Sequence, residues 1–226
     1  MIVTIDGPAG SGKSTAARKL AARLEVAYLD TGAMYRAIAH AALQRKVDWG
    51  DREALLEVAQ SIQLSLDCGP THTRVRVDGH DVSEAIRSMA VNSVTSHVAK
   101  HPGIRSLLVE QQRLVGRNLI SFVTEGRDQG SVVFPEAKVK IVLDAALEKR
   151  AQRRFQELAT EGEEQVGFTD VLENLRARDQ VDSKQWEPLI ASGGAIQIDT
   201  TKMTIAEVVD RLVRIVRERD LPVPRQ

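Results

Sequence analysis

Residues 7–14 read Gly-Pro-Ala-Gly-Ser-Gly-Lys-Ser, a match to GxxxxGK[ST]. No other segment restricts the fold as much, because the pattern works only between a strand and a helix. Both flanks comply. Ile2–Ile5 is a β-branched run that reads as a buried strand. An Ala/Leu-rich helix is expected from about Lys13 to Leu24. In such a loop the glycines turn successive backbone N–H groups onto a phosphate, and the helix aims its positive end at the same anion. Lys13 suits the β/γ oxygens and the Ser14 hydroxyl suits Mg2+. Gly7, Pro8, Ala9, Gly10, Ser11, Gly12, Lys13, Ser14 and Thr15 are therefore the candidate ATP contacts.

The rest of the chain alternates strands and helices, which implies a doubly wound parallel sheet. Tyr28-Leu29 ends a second strand, and Asp30-Thr31-Gly32 turns into a helix over Ala33–Leu43. Asp51 caps another helix. Ile62, Leu64 and Leu66 alternate with polar residues, as do Val75 and Val77 just before Asp78-Gly79, a hairpin turn signal. An antiparallel ribbon is thus expected over about 62–82. Helices resume from about Ser83, break around Pro102-Gly103 and run to about Gly116. Leu119–Val123 and Val139–Leu143 read as buried parallel strands. A helix over Ala146–Ala159, a charged loop over 161–167, a helix over Phe168–Asp182 and a strand over Ala195–Ile198 follow. Thr204-Ile-Ala-Glu207 is a capping box opening the last helix.

Composition narrows the class. A length of 226 residues fits one α/β domain with a small insert. The 31 Lys+Arg balance 31 Asp+Glu, which disfavours a nucleic-acid binder, as do the few aromatics. Of the cations, 22 are Arg and 9 are Lys; codon bias and bidentate phosphate forks both explain this. Cys68 is alone, so a disulfide within the chain is excluded. No apolar run is long enough to span a membrane and the first residues do not resemble a signal peptide, so the expected location is the cytoplasm. The five His have no metal-ligand spacing and read as surface or capping residues. Trp49 and Trp186 read as packing residues.

A GTPase is excluded, since no Asp has Gly three residues on and no Asn is followed by Lys. In Val139–Asp144 the final Asp reads equally as a metal-side acid or as an N-cap. A small kinase remains. Three further segments carry Arg and Asp near strand or helix ends, where ligands bind in open α/β sheets. They are Asp30–Arg36 (DTGAMYR), Glu125–Pro135 (EGRDQGSVVFP) and Arg178–Ser183 (RDQVDS).

At these residues, and nearly end to end, the sequence resembles bacterial cytidylate kinase. The resemblance rests on IDGPAGSGKST, LDTGAMYRA, VDGHDVSEAIR, GRDQGSVVFP, VKIVLDA with RAQRRFQEL, and RDQVDS. It implies a nucleoside-monophosphate kinase fold with a core of about 1–35, 117–149 and 168–226. A CMP-binding insert would span about 36–116 and a lid about 150–167. It implies ATP-dependent phosphorylation of CMP and dCMP in pyrimidine nucleotide metabolism, by a monomer. By the same resemblance Arg36 and Arg127 hold the CMP phosphate, with Thr31 and Tyr35 lining the pocket. Ser96, Arg105 and Asp128 read cytosine, and Asp182 the ribose. Arg150, Arg153 and Arg154 belong to the lid and close on the transferring phosphate, joined by Arg178. The catalytic set is then Lys13, Arg127, Arg153, Arg154 and Arg178. UMP, AMP and shikimate stay open as rival acceptors, and a non-catalytic nucleotide-binding module is the rival from another class. The chain departs from the family pattern at Gln185, where an Arg is usual, and at Glu125, where an Asp is usual.

Overall fold

The computed structural model describes residues 1–160 and 166–220. Five strands form one sheet in the order β2-β6-β1-β7-β8: β1 (Ile2–Asp6), β2 (Ala27–Asp30), β6 (Phe122–Glu125), β7 (Val139–Asp144) and β8 (Ile196–Asp199). A second sheet, β3-β4-β5, comprises Leu64–Cys68, Thr73–Val77 and His80–Asp81. The chain divides into two compact units, Met1–Leu24 with Val123–Gln226, and Glu25–Phe122.

In the first unit β1 lies parallel to β7 (Val3 beside Val139, Ile5 beside Ile141), and β7 lies parallel to β8. Val3, Ile5, Ile141 and Leu143 are fully buried, as expected of a strand covered on both faces. Helix α1 (Lys13–Leu24) buries Ala16, Ala17, Leu20 and Ala21. Small residues on that face allow close packing. Helix α9 (Ile205–Asp220) buries Val208, Val209, Leu212, Val213 and Val216, one 3.6-period stripe. The expected capping box is formed: Thr204 N donates to Glu207 Oε2 at 2.8 Å, and Glu207 N donates to Thr204 Oγ1 at 3.3 Å. Helices α6 (Leu147–Thr160) and α7 (Phe168–Asp182) pack through Ala151, Leu158, Val171 and Leu175. Phe155 and Phe168 meet edge to face at 6.0 Å. Residues 161–165, within the expected charged loop and lid, lie outside the described residues. Helix α8 (Glu187–Ala191), which the sequence reading lacked, follows Trp186.

In the second unit α2 (Thr31–Gln44) and α3 (Arg52–Ser61) pack with α4 (Met89–Lys100) and α5 (Pro102–Asn118). Met34, Ile38, Leu55, Val94, Val98, Ile104 and Leu108 form their core. Asp51 caps α3 by accepting from Ala54 N at 3.0 Å. The ribbon appears where the alternation placed it. Asp78 and Gly79 take φ of +51° and +84°, the pair of positive angles that a type I′ hairpin needs. Pro102 marks the break between helices by opening α5, and His101 Nδ1 accepts from Ile104 N at 3.2 Å as its cap.

Three boundaries differ from the sequence reading. Leu119 closes α5 and Ile120 is almost fully exposed, so the strand starts at Phe122 instead of Leu119. Ser83 is held to the ribbon, its Oγ accepting from Val75 N, so helical structure resumes as a 3-10 turn over Ala85–Arg87 and the α-helix starts at Met89. The Asp144 side chain accepts from its neighbour, Ala145 N, at 2.8 Å and α6 starts at Leu147, so Asp144 is not that helix's N-cap.

Candidate active site

The loop expected to cradle phosphate lies in the first unit, between β1 and α1. Gly7 has φ +135°, and a Cβ there would stand 2.1 Å from the Leu143 carbonyl oxygen of β7. Only glycine fits so close to the neighbouring strand. Lys13 Nζ donates to the Pro8 carbonyl at 2.7 Å and is buried. Ser11 Oγ is buried and makes no hydrogen bond among the described residues. Ser14 and Thr15 are exposed at the first turn of α1.

Electrostatics point to an anion here. Burial and then the positive charge of Arg127 hold the Lys13 pKa well below the ordinary lysine value, with Arg178 adding to the effect against Glu125 and Asp6. Arg178 is crowded by protein although its side chain still reaches solvent. Desolvation and then Arg127 lower its pKa as well. Arg127 thus disfavours the charge of both Lys13 and Arg178, and Arg178 that of Lys13, which a polyphosphate would relieve.

The sheet delivers further groups. Glu125, buried at the end of β6, accepts from Ser14 Oγ at 3.0 Å. Arg127 Nε donates to Asp182 Oδ2 at 2.9 Å, so the sequence-predicted phosphate and ribose residues are brought together. Asp128 is buried. It is followed by a wide helical turn over Gln129–Val133, which no sequence signal announced. Asp6, at the end of β1, is 1% exposed and accepts from Gln129 N (2.8 Å, on Oδ1) and Gly130 N (2.7 Å, on Oδ2). Burial raises its carboxyl pKa to about 6. The sequence reading passed over Asp6; an acid ending an apolar strand was the available signal.

The arginines expected in the lid have distinct settings. Arg150 is buried, its Nε on the Ala145 carbonyl (2.8 Å) and its Nη1 on the Ala9 carbonyl (3.2 Å). Both of its Nη atoms also fork onto the Asp179 carboxylate. Here the guanidinium is committed to the cradle loop and α7. Arg153 reaches the Ser11 carbonyl (3.3 Å) and the Thr200 carbonyl (2.8 Å). Arg154 pairs with Glu157 at 3.2 Å, one turn along α6.

The remaining predicted residues lie in the second unit. Asp30 caps α2 by accepting from Ala33 N at 2.9 Å, and its Oδ2 accepts from Arg36 Nη2 at 3.0 Å. Arg87 Nη2 stands 3.6 Å from the same oxygen, a contact the sequence reading did not anticipate. Arg36 Nε is buried with no hydrogen-bond partner among the described residues. Thr31 is buried and Tyr35 half-buried on the same first turns of α2. Ser96 is exposed on α4, and Arg105 is half-buried on α5.

Gln185 lies in a short 3-10 turn after α7. Its carbonyl accepts from Ser131 Oγ at 2.9 Å, while its Oε1 is buried and lacks a partner among the described residues. Trp186 is buried, whereas Trp49 is 42% exposed beside His97. No group of three or more His, Cys, Asp or Glu suited to a metal occurs among the described residues. Ser14 and Glu125 nevertheless supply the hard oxygen donors that Mg2+ takes when phosphates provide most of its ligands. No described helix is long and apolar enough to cross a membrane.

Comparison with known proteins agrees with this geometry. A cytidylate kinase from Caldanaerobacter subterraneus subsp. tengcongensis is 45% identical over 219 residues, covering 96% of this chain and 94% of that protein. A bifunctional pantoate ligase/cytidylate kinase from Synechococcus sp. (strain JA-3-3Ab) is 45% identical over 96% of this chain, which spans only 41% of that longer protein. A solved shikimate kinase from Bacteroides thetaiotaomicron shares the fold at 11% identity, with a TM-score of 0.51 over 96% of this chain and 98% of that chain. The family model for cytidylate kinase matches residues 3–218, and the chain belongs to that family.

Proposed function

We propose that the chain transfers the γ-phosphoryl group of ATP in line to CMP and dCMP, CMP being the acceptor its family name carries. The cluster of Lys13, Arg127 and Arg178, whose charges oppose one another beside the cradle, is the observation that most supports this reading. An acceptor phosphate has a second pKa of about 6, so its attacking oxygen is already deprotonated at neutral pH and no general base is needed. The chain's contribution is positioning and charge stabilisation. Lys13 and the cradle N–H groups hold the ATP phosphates, and Arg127, Arg153, Arg154 and Arg178 surround the group in transfer. Arg150 instead stiffens the cradle, given its bonds to Ala9 and Asp179. Mg2+, held through Ser14 with Glu125 behind it, neutralises phosphate charge when bound.

On the acceptor side Arg36 and Arg127 hold the CMP phosphate, with Thr31 and Tyr35 against it. Asp128 accepts from the cytosine N4 amine, while Ser96 and Arg105 meet its N3 and O2 acceptors. Uracil presents an acceptor at position 4, facing the Asp128 carboxylate, and is rejected. Asp182 contacts the ribose. The segment of about 36–116 serves as the CMP-binding insert and that of about 150–167 as a lid that excludes water. The enzyme works as a cytoplasmic monomer on free nucleotides.

A panel of ATP with CMP, dCMP, UMP, AMP or shikimate, read as ADP release, tests the reading. CMP and dCMP should be turned over far faster than the other three. Equal turnover of UMP would overturn the cytosine assignment, and ATP binding without CMP-dependent ADP release would favour a non-catalytic module.

A further inference from the structure

We infer that Asp6 is a positioning residue for the acceptor: its buried carboxylate fixes the turn that carries Arg127 and Asp128 relative to the phosphate cradle. The inference rests on the reading of those two residues as CMP contacts. Asp6 ends β1 and directly precedes Gly7, the first cradle residue. Its two oxygens accept one backbone N–H each, from Gln129 and Gly130, the residues that follow Asp128. On the other side, Gly126 N donates to the Ile5 carbonyl at 3.1 Å, just before Arg127. The Arg127-Asp128 pair is therefore clamped at both ends onto the last two residues of β1. The turn is pressed against the strand: a Cβ at Gly130 would lie 2.8 Å from Thr4 Oγ1 and 3.2 Å from Asp6 Oδ2.

The chemistry of the clamp calls for a carboxylate. Two adjacent N–H donors need two acceptor oxygens, and an Asn side chain offers one. A buried acid that must stay ionised weakens the fold, so its presence here points to a requirement other than stability. The cradle has separate supports, from Lys13 to Pro8, Arg150 to Ala9 and Arg153 to Ser11. Loosening the Gln129 end should therefore disturb the acceptor contacts and spare ATP binding.

The test is Asp6→Asn, with CMP varied at saturating ATP and ATP affinity titrated separately without CMP. The expected result is a fall of about 30-fold in kcat/KM for CMP, with the ATP Kd within about twofold of the parent. An unchanged CMP response, or equal losses for both nucleotides, overturns the inference. If Asp6→Asn does not fold, Thr124→Val decides, because Thr124 Oγ1 donates to Gln129 Oε1 at 3.0 Å in the same turn. It should raise KM for CMP about threefold with the ATP Kd unchanged, and a parent-like KM overturns the inference. Arg127→Ala separates the two levels. If it leaves KM for CMP unaltered, the acceptor reading itself fails. If it raises that KM while Asp6→Asn does not, the Asp6 clamp alone fails.

Discussion

The buried Asp6 carboxylate also makes a stability prediction whose sign can be worked out. Its pKa rises from 3.8 to about 6, chiefly by desolvation, against two backbone hydrogen bonds that pull it down. A group whose folded pKa lies above its unfolded value binds its proton more tightly in the folded state. Its stabilising effect is complete at low pH and is lost as pH rises through the folded pKa. The full span of about two units corresponds to about 3 kcal/mol. From pH 4 to 7.5 about 2.5 kcal/mol of that should be seen, because the unfolded form is already titrating at pH 4. Asn cannot titrate, so the difference between the parent and Asp6→Asn isolates the group from every other carboxylate. At pH 7.5 the variant escapes the buried charge but loses a charge-assisted bond of about 1.5–3 kcal/mol, leaving the two proteins within about 2 kcal/mol. Between pH 7.5 and pH 4 the parent should gain about 2.5 kcal/mol on the variant, whatever their starting difference. Urea unfolding at half-unit pH steps measures this. Parallel stability curves for the two proteins across pH 4–7.5 would refute the reasoning.

Lys13→Ala should lower kcat by about a thousandfold or more while the fold survives, since burial already disfavours the charge of the lost group; near-normal turnover contradicts the cradle assignment. Arg150→Ala removes a fork that ties Ala9 to Asp179, and should lower Tm by about 5–10 °C, with the loss of stability exceeding any loss of kcat measured well below Tm. A variant as stable as the parent with kcat lowered about a hundredfold would return Arg150 to the transferring phosphate. Gln185→Arg should lower KM for CMP about tenfold, because it supplies the planar fork that the resemblance to the family leads one to expect there; an unchanged KM shows that Gln185 is neutral.

The sequence made legible whatever local chemistry controls. The cradle, the Asp78-Gly79 hairpin, the Asp51 cap and the Thr204/Glu207 box all depend on residues within a few positions of one another. The span Phe168–Asp182 appears as a helix with the bounds its flanking glycine and polar residues suggested. Contacts between distant segments were not legible. Asp6 finds its donors more than 120 residues away, and Arg150 finds Ala9 and Asp179 on two other elements. The turn over Gln129–Val133 has no periodicity of its own, since an acid on another strand captures its first N–H groups. Ile120 misled the strand boundary because an apolar residue after a helix is no proof of burial. Of the candidate site, residue identities came from motif and resemblance. Their engagements, such as Arg127 on Asp182 and Arg36 on Asp30, needed coordinates.

The second unit enters and leaves the chain through one hydrogen-bonded gate. Ala27 N donates to the Ser121 carbonyl at 3.2 Å, so the residues that open and close the segment are already neighbours. A segment whose ends meet can be exchanged for a longer, shorter or unrelated one without stretching the strands on either side. That gives the architecture a modular evolutionary route. The helices and ribbon inside the gate can drift or be replaced as a block, while Arg127, Asp128 and Asp182 stay outside it with the glycine-rich loop. For an engineer, residues 26 and 121 are accordingly natural splice points for exchanging the intervening segment as one block.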